Sequence, residues 1–175
     1  HLGISTNIIL YALNINKLNF YFDTVDIKDV NSSLNKNWVS YGDKYSPIEK
    51  IKLLNLNHKC NFIKDNSLNY LKTTKKKYDF IFLDGDHASN IVFQEIKNSF
   101  KILSNKSNIL LHDFYPNYRN IYQNSFFIPG PFTAYLKIKK YFQDLKFITF
   151  NDLPWKTRYS KNISSLALLT TKNEK

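Results

Sequence analysis

Short apolar runs that stop at acidic or other polar residues, alternating with segments of helical period, constrain this chain more than any other feature. Phe20–Ile27 reads as a strand ending around Asp26. Asn61–Lys64 is a shorter one, closed by Asp65, Asn66 and Ser67. Tyr78–Leu83 is the clearest, and it runs straight into Asp84-Gly85-Asp86-His87; Ser107–Leu111 runs into His112-Asp113. Between them, Ile8, Ile9, Ala12 and Leu13 recur at helical spacing behind a cap at Ser5 or Thr6. Pro47 suits the first turn of a helix reaching Leu54. A further helix begins at Ser67, and another after Ser89 or Asn90 carries Val92, Ile96, Phe100 and Leu103 on one face. Phe132–Phe142 completes the helical set. Strand alternating with helix predicts an α/β fold built on a parallel sheet with helices on both faces. Lys146–Phe150 and Ser164–Thr171, joined without a helical pattern, predict an antiparallel ending.

The length of 175 residues predicts a single domain spanning 1–175. One cysteine, Cys60, excludes a disulfide framework and a Cys-rich zinc site, and fits a reducing, cytoplasmic setting. No run approaches the roughly 18 apolar residues of a membrane span. Lys and Arg number 25 against 14 acidic residues, a formal charge of +11. Only Arg119 and Arg158 are arginines, the residue type best suited to bidentate phosphate and base contacts. The lysine, asparagine and isoleucine excess therefore reads as coding bias and solubility rather than a nucleic-acid surface. The opening His1-Leu2-Gly3-Ile4-Ser5-Thr6 reads as a chain entered mid-fold, with Gly3 already in the first glycine loop. A truncated start is therefore expected, the first central strand lying upstream of residue 1.

Ligands of open α/β sheets bind beyond the carboxyl ends of the strands. An acidic residue there often only caps the next helix. Five polar strand ends in register point instead to a site: Gly3 to Thr6, Asp26, Asp65 to Ser67, Asp84 to His87, and His112-Asp113.

These segments resemble the successive motifs of the class I, S-adenosylmethionine-dependent methyltransferases, in detail the methyltransferase domain 24 type. The matching stretches are the Gly-x-Ser-Thr helix start, Val25-Asp26-Ile27, Phe62 to Ser67, Asp79 to His87, and Leu110 to Phe114. Ile128 to Phe132 and Leu153 to Thr157 resemble a bacterial subgroup. The resemblance implies a Rossmann-like sheet, mostly parallel with an antiparallel C-terminal strand. It implies S-adenosylmethionine as cofactor, with Gly3, Ser5 and Thr6 around the methionine part. Asp26 falls on the ribose hydroxyls, and Asp65, Asn66 and Ser67 on the adenine, with Asp84 bordering the cofactor. The implied activity is methylation of an oxygen on a small-molecule acceptor, which leaves room for an oligomer and needs neither nucleic acid nor membrane. A nucleic-acid methyltransferase and a non-catalytic nucleotide-binding module are the alternatives. No Asn-Pro-Pro-Tyr-like motif supports the first, and a dinucleotide oxidoreductase would need a fuller Gly-x-Gly-x-x-Gly.

Asp84, His112 and Asp113 resemble the positions where metal-dependent O-methyltransferases place a divalent cation, Mg or Mn. His112 stands where a carboxylate is common, and Phe114 where the catechol type has Asn. Two chemistries stay open: a cation that acidifies the acceptor hydroxyl, or His87 or His112 as general base. Cys60 reads as structural, Lys75 to Lys77 as solvated surface, and Trp38, Tyr41 and Tyr45 as packing or lid. Trp155 is the candidate pocket wall.

Overall fold

Two hydrogen-bonded sheets carry the chain in its computed structural model, which describes residues 3–120, 127–150, 153, 156 and 164–171. Trp155, with Pro154 and Thr157, lies outside the described residues. The chain divides into two compact units, His1–Tyr70 and Leu71–Lys175.

In the first unit, β1 (Phe22–Asp26) runs parallel to β2 (Cys60–Lys64), in register from Phe22 opposite Cys60 to Asp26 opposite Lys64. Helix α1 spans Ile4–Ile15 and α2 Pro47–Leu53, and α3 (Ser67–Thr73) begins at the end of this unit and runs on into the second. The start of α2 is a full capping box. Glu49 N–H donates to the Ser46 hydroxyl, the Glu49 carboxylate accepts from Ser46 N–H at 2.7 Å, and Pro47 fills a first-turn position where no N–H is needed. Leu10, Ile51, Leu56 and Cys60 form the core, with Phe20, Phe22 and Phe62 against it. Each such aliphatic side chain contributes about 1.5–3 kcal/mol by leaving water. Trp38 is buried, so it packs, while Tyr41 and Tyr45 are exposed.

Two local expectations fail in α1. Its N-cap is Gly3, in the left-handed region at φ 67°, and Ser5 and Thr6 lie inside the first turn. The buried face runs through Thr6 and Leu10, leaving Ile8 exposed, because Thr6 is tied to β1 by a 3.1 Å hydroxyl–hydroxyl bond to Thr24.

In the second unit the strand order is β3 (Tyr78–Leu83), β4 (Leu103–Leu111), β6 (Ala167–Thr171), β5 (Leu145–Thr149). β3 and β4 are parallel; β6 is antiparallel to both its neighbours, as the final runs predict. Helices α4 (Ser89–Ile102) and α5 (Gly130–Lys139) pack together. Val92 and Ile96 of α4 meet Ile109, Leu111, Phe114, Phe132, Tyr135, Ile138, Leu145 and Leu169 in one core. Leu103, expected on the α4 face, turns extended and begins β4 without a loop. Ala88, not Ser89 or Asn90, is the α4 N-cap. Asp86 shapes the approach by accepting Ala88 N–H at 2.7 Å, the local carboxylate turn that precedes many helices.

Candidate active site

Parallel β3 and β4 end side by side, and the register Leu83 opposite Leu111 brings Asp84 next to His112. The ladder continues one bond further, with His112 N–H donating to the Leu83 carbonyl at 3.1 Å. The next residue, Asp113, turns into the left-handed region at φ 49°. Asp is one of the few residue types that tolerate this conformation. Beyond the turn, Phe114 drops into the core against Phe132, Tyr135 and Phe147, with ring centroids 5.0–5.8 Å apart. Its N–H donates to the Ser165 carbonyl at 2.8 Å, and the Ser165 hydroxyl donates to Asp113 Oδ1 at 3.3 Å. Thus His112 and Asp113 are set by a buried aromatic anchor and by the strand end that follows.

His87 enters from the loop after β3. Gly130, the first residue of α5, lies so close that a Cβ there would overlap the His87 carbonyl oxygen. Glu95, on α4, is buried, and a Cβ on Gly85 would stand 3.6 Å from its Oε1. Neither Ser165 nor Glu95 stood out in the sequence, and Gly130 did so only within the Ile128 to Phe132 resemblance. Glu95 falls three residues after Val92, next to the apolar stripe of α4, and that position was its one legible sign.

The four candidate side chains of this unit do converge. His112 Nδ1 stands 2.9 Å from Asp84 Oδ1 and 3.4 Å from Asp113 Oδ2. His87 Nε2 stands 3.8 Å and 3.5 Å from the same two oxygens. The two carboxylates therefore flank one nitrogen, well inside the roughly 8 Å beyond which they could not share an ion. Burial works against charge on Asp84, yet the His112 and His87 imidazoles outweigh it and hold its carboxyl well below the usual range. Asp113 is lowered by the same contest, with Ser165 assisting. Contact with Asp113, then with Asp84, pushes His112 up to about 10; His87 is raised chiefly by Asp84. The cluster is partly open to solvent, Asp113 being its most sheltered member at 16% side-chain exposure.

The remaining candidates lie in the first unit. Gly3 is fixed by space as well as by φ, since a Cβ would meet the Pro47 ring at 2.6 Å. No side chain caps α1, so the N–H groups of its first turn are not taken by a capping side chain. Asp26 ends β1, where its Oδ1 accepts Lys28 N–H at 2.8 Å and its carbonyl accepts Asp65 N–H at 3.0 Å. Asp65 holds the Asn69 amide with both oxygens, and Asn66 Oδ1 caps α3 through Leu68 and Asn69 N–H, with Ser67 the first helical residue.

The family model for a methyltransferase domain matches residues 1–114. No curated protein matches the sequence. Among solved structures, an O-methyltransferase from Bacillus cereus in complex with SAH is 13% identical, with a TM-score of 0.54 over 96% of this chain and 80% of that one. The cofactor-bound Rv0187 from MTB is 11% identical, TM-score 0.54, covering 99% and 83%. The O-methyltransferase TomG from Streptomyces achromogenes, involved in tomaymycin synthesis and solved with SAM, is 7% identical, TM-score 0.51, covering 99% and 82%. At these identities the likeness is one of fold.

Proposed function

The chain belongs to the methyltransferase domain family, and on that premise we propose that it moves the methyl group of S-adenosylmethionine onto an oxygen of a small molecule. The observation that carries the oxygen acceptor is the convergence of Asp84, His87, His112 and Asp113 at adjoining strand ends. A hydroxyl must lose a proton as it is methylated, and such a cluster gives that proton a destination.

When bound, S-adenosylmethionine supplies a methyl on a cationic sulfur; displacement leaves S-adenosylhomocysteine, the methyl ether and one proton. The features of the first unit fit that ligand. The uncapped start of α1, with Gly3 as its N-cap, suits a carboxylate, because first-turn N–H groups and the helix dipole favour an anion. Ser5 and Thr6 contribute there through the backbone, since the Thr6 hydroxyl is bonded to Thr24. Asp26 presents two acceptor oxygens to the ribose hydroxyls. The turn that Asp65, Asn66 and Ser67 hold at the end of β2 is the adenine side.

In the second unit, Asp113 Oδ2 takes the proton of the acceptor hydroxyl. It is fixed by Ser165 on its other oxygen and by the left-handed turn of its own backbone. Asp84, His87 and His112 orient the hydroxyl. Two carboxylates and two imidazoles also fit a divalent cation, which when bound would lower the pKa of that hydroxyl.

The test is transfer of a labelled methyl from S-adenosylmethionine to a panel of phenols, catechols and sugar alcohols, with RNA as a parallel substrate. A labelled methyl ether, lost about 10²–10⁴-fold in turnover in Asp113→Asn while S-adenosylhomocysteine affinity holds, supports the proposal. Methylation of RNA alone, or full turnover in Asp113→Asn, sinks it.

A further inference from the structure

We propose that Asp84, His87 and His112 form a site for an imidazole-preferring first-row transition metal of the zinc class, rather than a magnesium site. The inference deepens the acceptor end of the proposed methyltransferase and rests on that reading for its purpose, though not for its test. Sequence resemblance pointed to Asp84, His112 and Asp113 with Mg or Mn; the geometry brings in His87.

Three observations converge. One donor atom from each of Asp84, His87 and His112 lies within 4.8 Å of the other two. The shortest separations are 2.9 Å between His112 Nδ1 and Asp84 Oδ1, and 3.8 Å between His87 Nε2 and Asp84 Oδ1. Donors sharing one ion at zinc-type bond lengths stand about 3.0–3.4 Å apart, so small side-chain rotations complete the set. Second, His87 Nε2 and His112 Nδ1 are sealed from solvent, and neither engages a partner in hydrogen-bond geometry. Their close neighbours are the carboxylate oxygens of Asp84 and Asp113, 2.9–3.8 Å away. Two buried ring nitrogens facing the same carboxylate oxygens converge as the ligands of one ion would. Third, the donor types discriminate. Imidazole nitrogens suit Zn, Co, Ni and Fe, whereas Mg demands oxygen ligands in a near-ideal octahedron. Three protein ligands with further positions open is the arrangement of catalytic rather than structural zinc. Asp113 Oδ2, 3.4 and 3.5 Å from the same two nitrogens, borders the ion as the proton acceptor.

The experiment uses the untagged chain, stripped with chelator and passed over a desalting column. Zinc, manganese and magnesium are titrated separately by calorimetry, and cobalt(II) by its visible absorption. The expected result is one equivalent of zinc or cobalt bound at least about 100-fold more tightly than magnesium. His87→Gln and His112→Gln should each weaken zinc at least about 10-fold, while Asp79→Asn, on β3 and outside the cluster, leaves it unchanged. Cobalt should show the intense visible bands of a low-coordinate site. Magnesium binding as tightly as zinc, or zinc affinity unaffected in His87→Gln, overturns the proposal. The wild-type metal ranking holds this test even where a variant fails to fold. S-adenosylhomocysteine titrated into the same samples reads the methyltransferase assignment separately, so failure of one is not mistaken for failure of the other.

Discussion

Replacing Phe114 with alanine removes the anchor from which His112 and Asp113 are held. Phe114 is 1% exposed and packs against Phe132, Tyr135 and Phe147. Truncating a fully buried Phe costs about 3–5 kcal/mol, the transfer loss plus the cavity left behind. The upper half of that range is expected here, because three aromatic contacts are lost together and each adds about 0.5–1.5 kcal/mol beyond area. For a chain of this size the melting temperature should fall by about 6–20 °C. Urea unfolding followed by near-ultraviolet dichroism reads the loss directly, with the slope on urea showing whether the exposed surface is unchanged. A second effect should accompany it. The left-handed turn at Asp113, a conformation costing on the order of 1 kcal/mol or more, is stabilised by the burial of the next side chain. Phe114→Ala should therefore loosen the hold on Asp113, and with it the proposed proton transfer, even at temperatures where the variant stays folded. A loss below about 1 kcal/mol at unchanged slope would refute the anchoring role.

Gly130→Ala forces a methyl group against the His87 carbonyl, with His87 C at 2.9 Å and Ser89 N at 3.1 Å. It should cost about 1–3 kcal/mol in denaturant unfolding and weaken zinc binding, and a wild-type zinc affinity would show that α5 does not set the His87 loop. The pH dependence of the chelated protein follows from the cluster. His112, raised to about 10 from 6.5, contributes stability fully present below about pH 6.5 and lost as pH rises through 10. Asp84, lowered from 3.8, contributes stability present above about pH 3.8 and lost as pH falls further. Thermal melts between pH 3 and 10 should thus decline on both sides of a maximum near pH 4–6.5, and His112→Gln should flatten the alkaline limb. Cys60, which burial pushes up to about 12, should resist alkylation at pH 8 in the native chain and react freely in urea.

The strand ends were legible because strand-length apolar runs and a following Asp or His leave a strong local signature; Tyr78–Leu83 matches β3 residue for residue. The neighbouring order of Asp84 and His112-Asp113 was legible for the same reason, since parallel strands place their ends together. What the sequence hid depends on packing. Gly3 caps α1 in place of Ser5 or Thr6 because Pro47 excludes a side chain there, a contact from 44 positions away in the chain. Leu103 leaves its helical period to pair with Tyr78, which periodicity within α4 cannot foresee. Buried Glu95 reads as a solvent residue by type, and the importance of Gly130 comes from its approach to His87, not from its neighbours. That the His87 nitrogen shares Asp84 with His112 depends on the loop after β3 and was not legible in the sequence.

The central claim is that a methyltransferase-domain chain uses S-adenosylmethionine through Asp26. Calorimetry of S-adenosylhomocysteine against wild type and Asp26→Ala, both shown folded by dichroism, tests it most directly. One equivalent should bind the wild type. The variant should bind about 10- to 150-fold more weakly, the loss of about 1.5–3 kcal/mol expected for hydrogen bonds to a charged acceptor. Folded wild type that takes up no S-adenosylhomocysteine, or a variant of unchanged affinity, would contradict it.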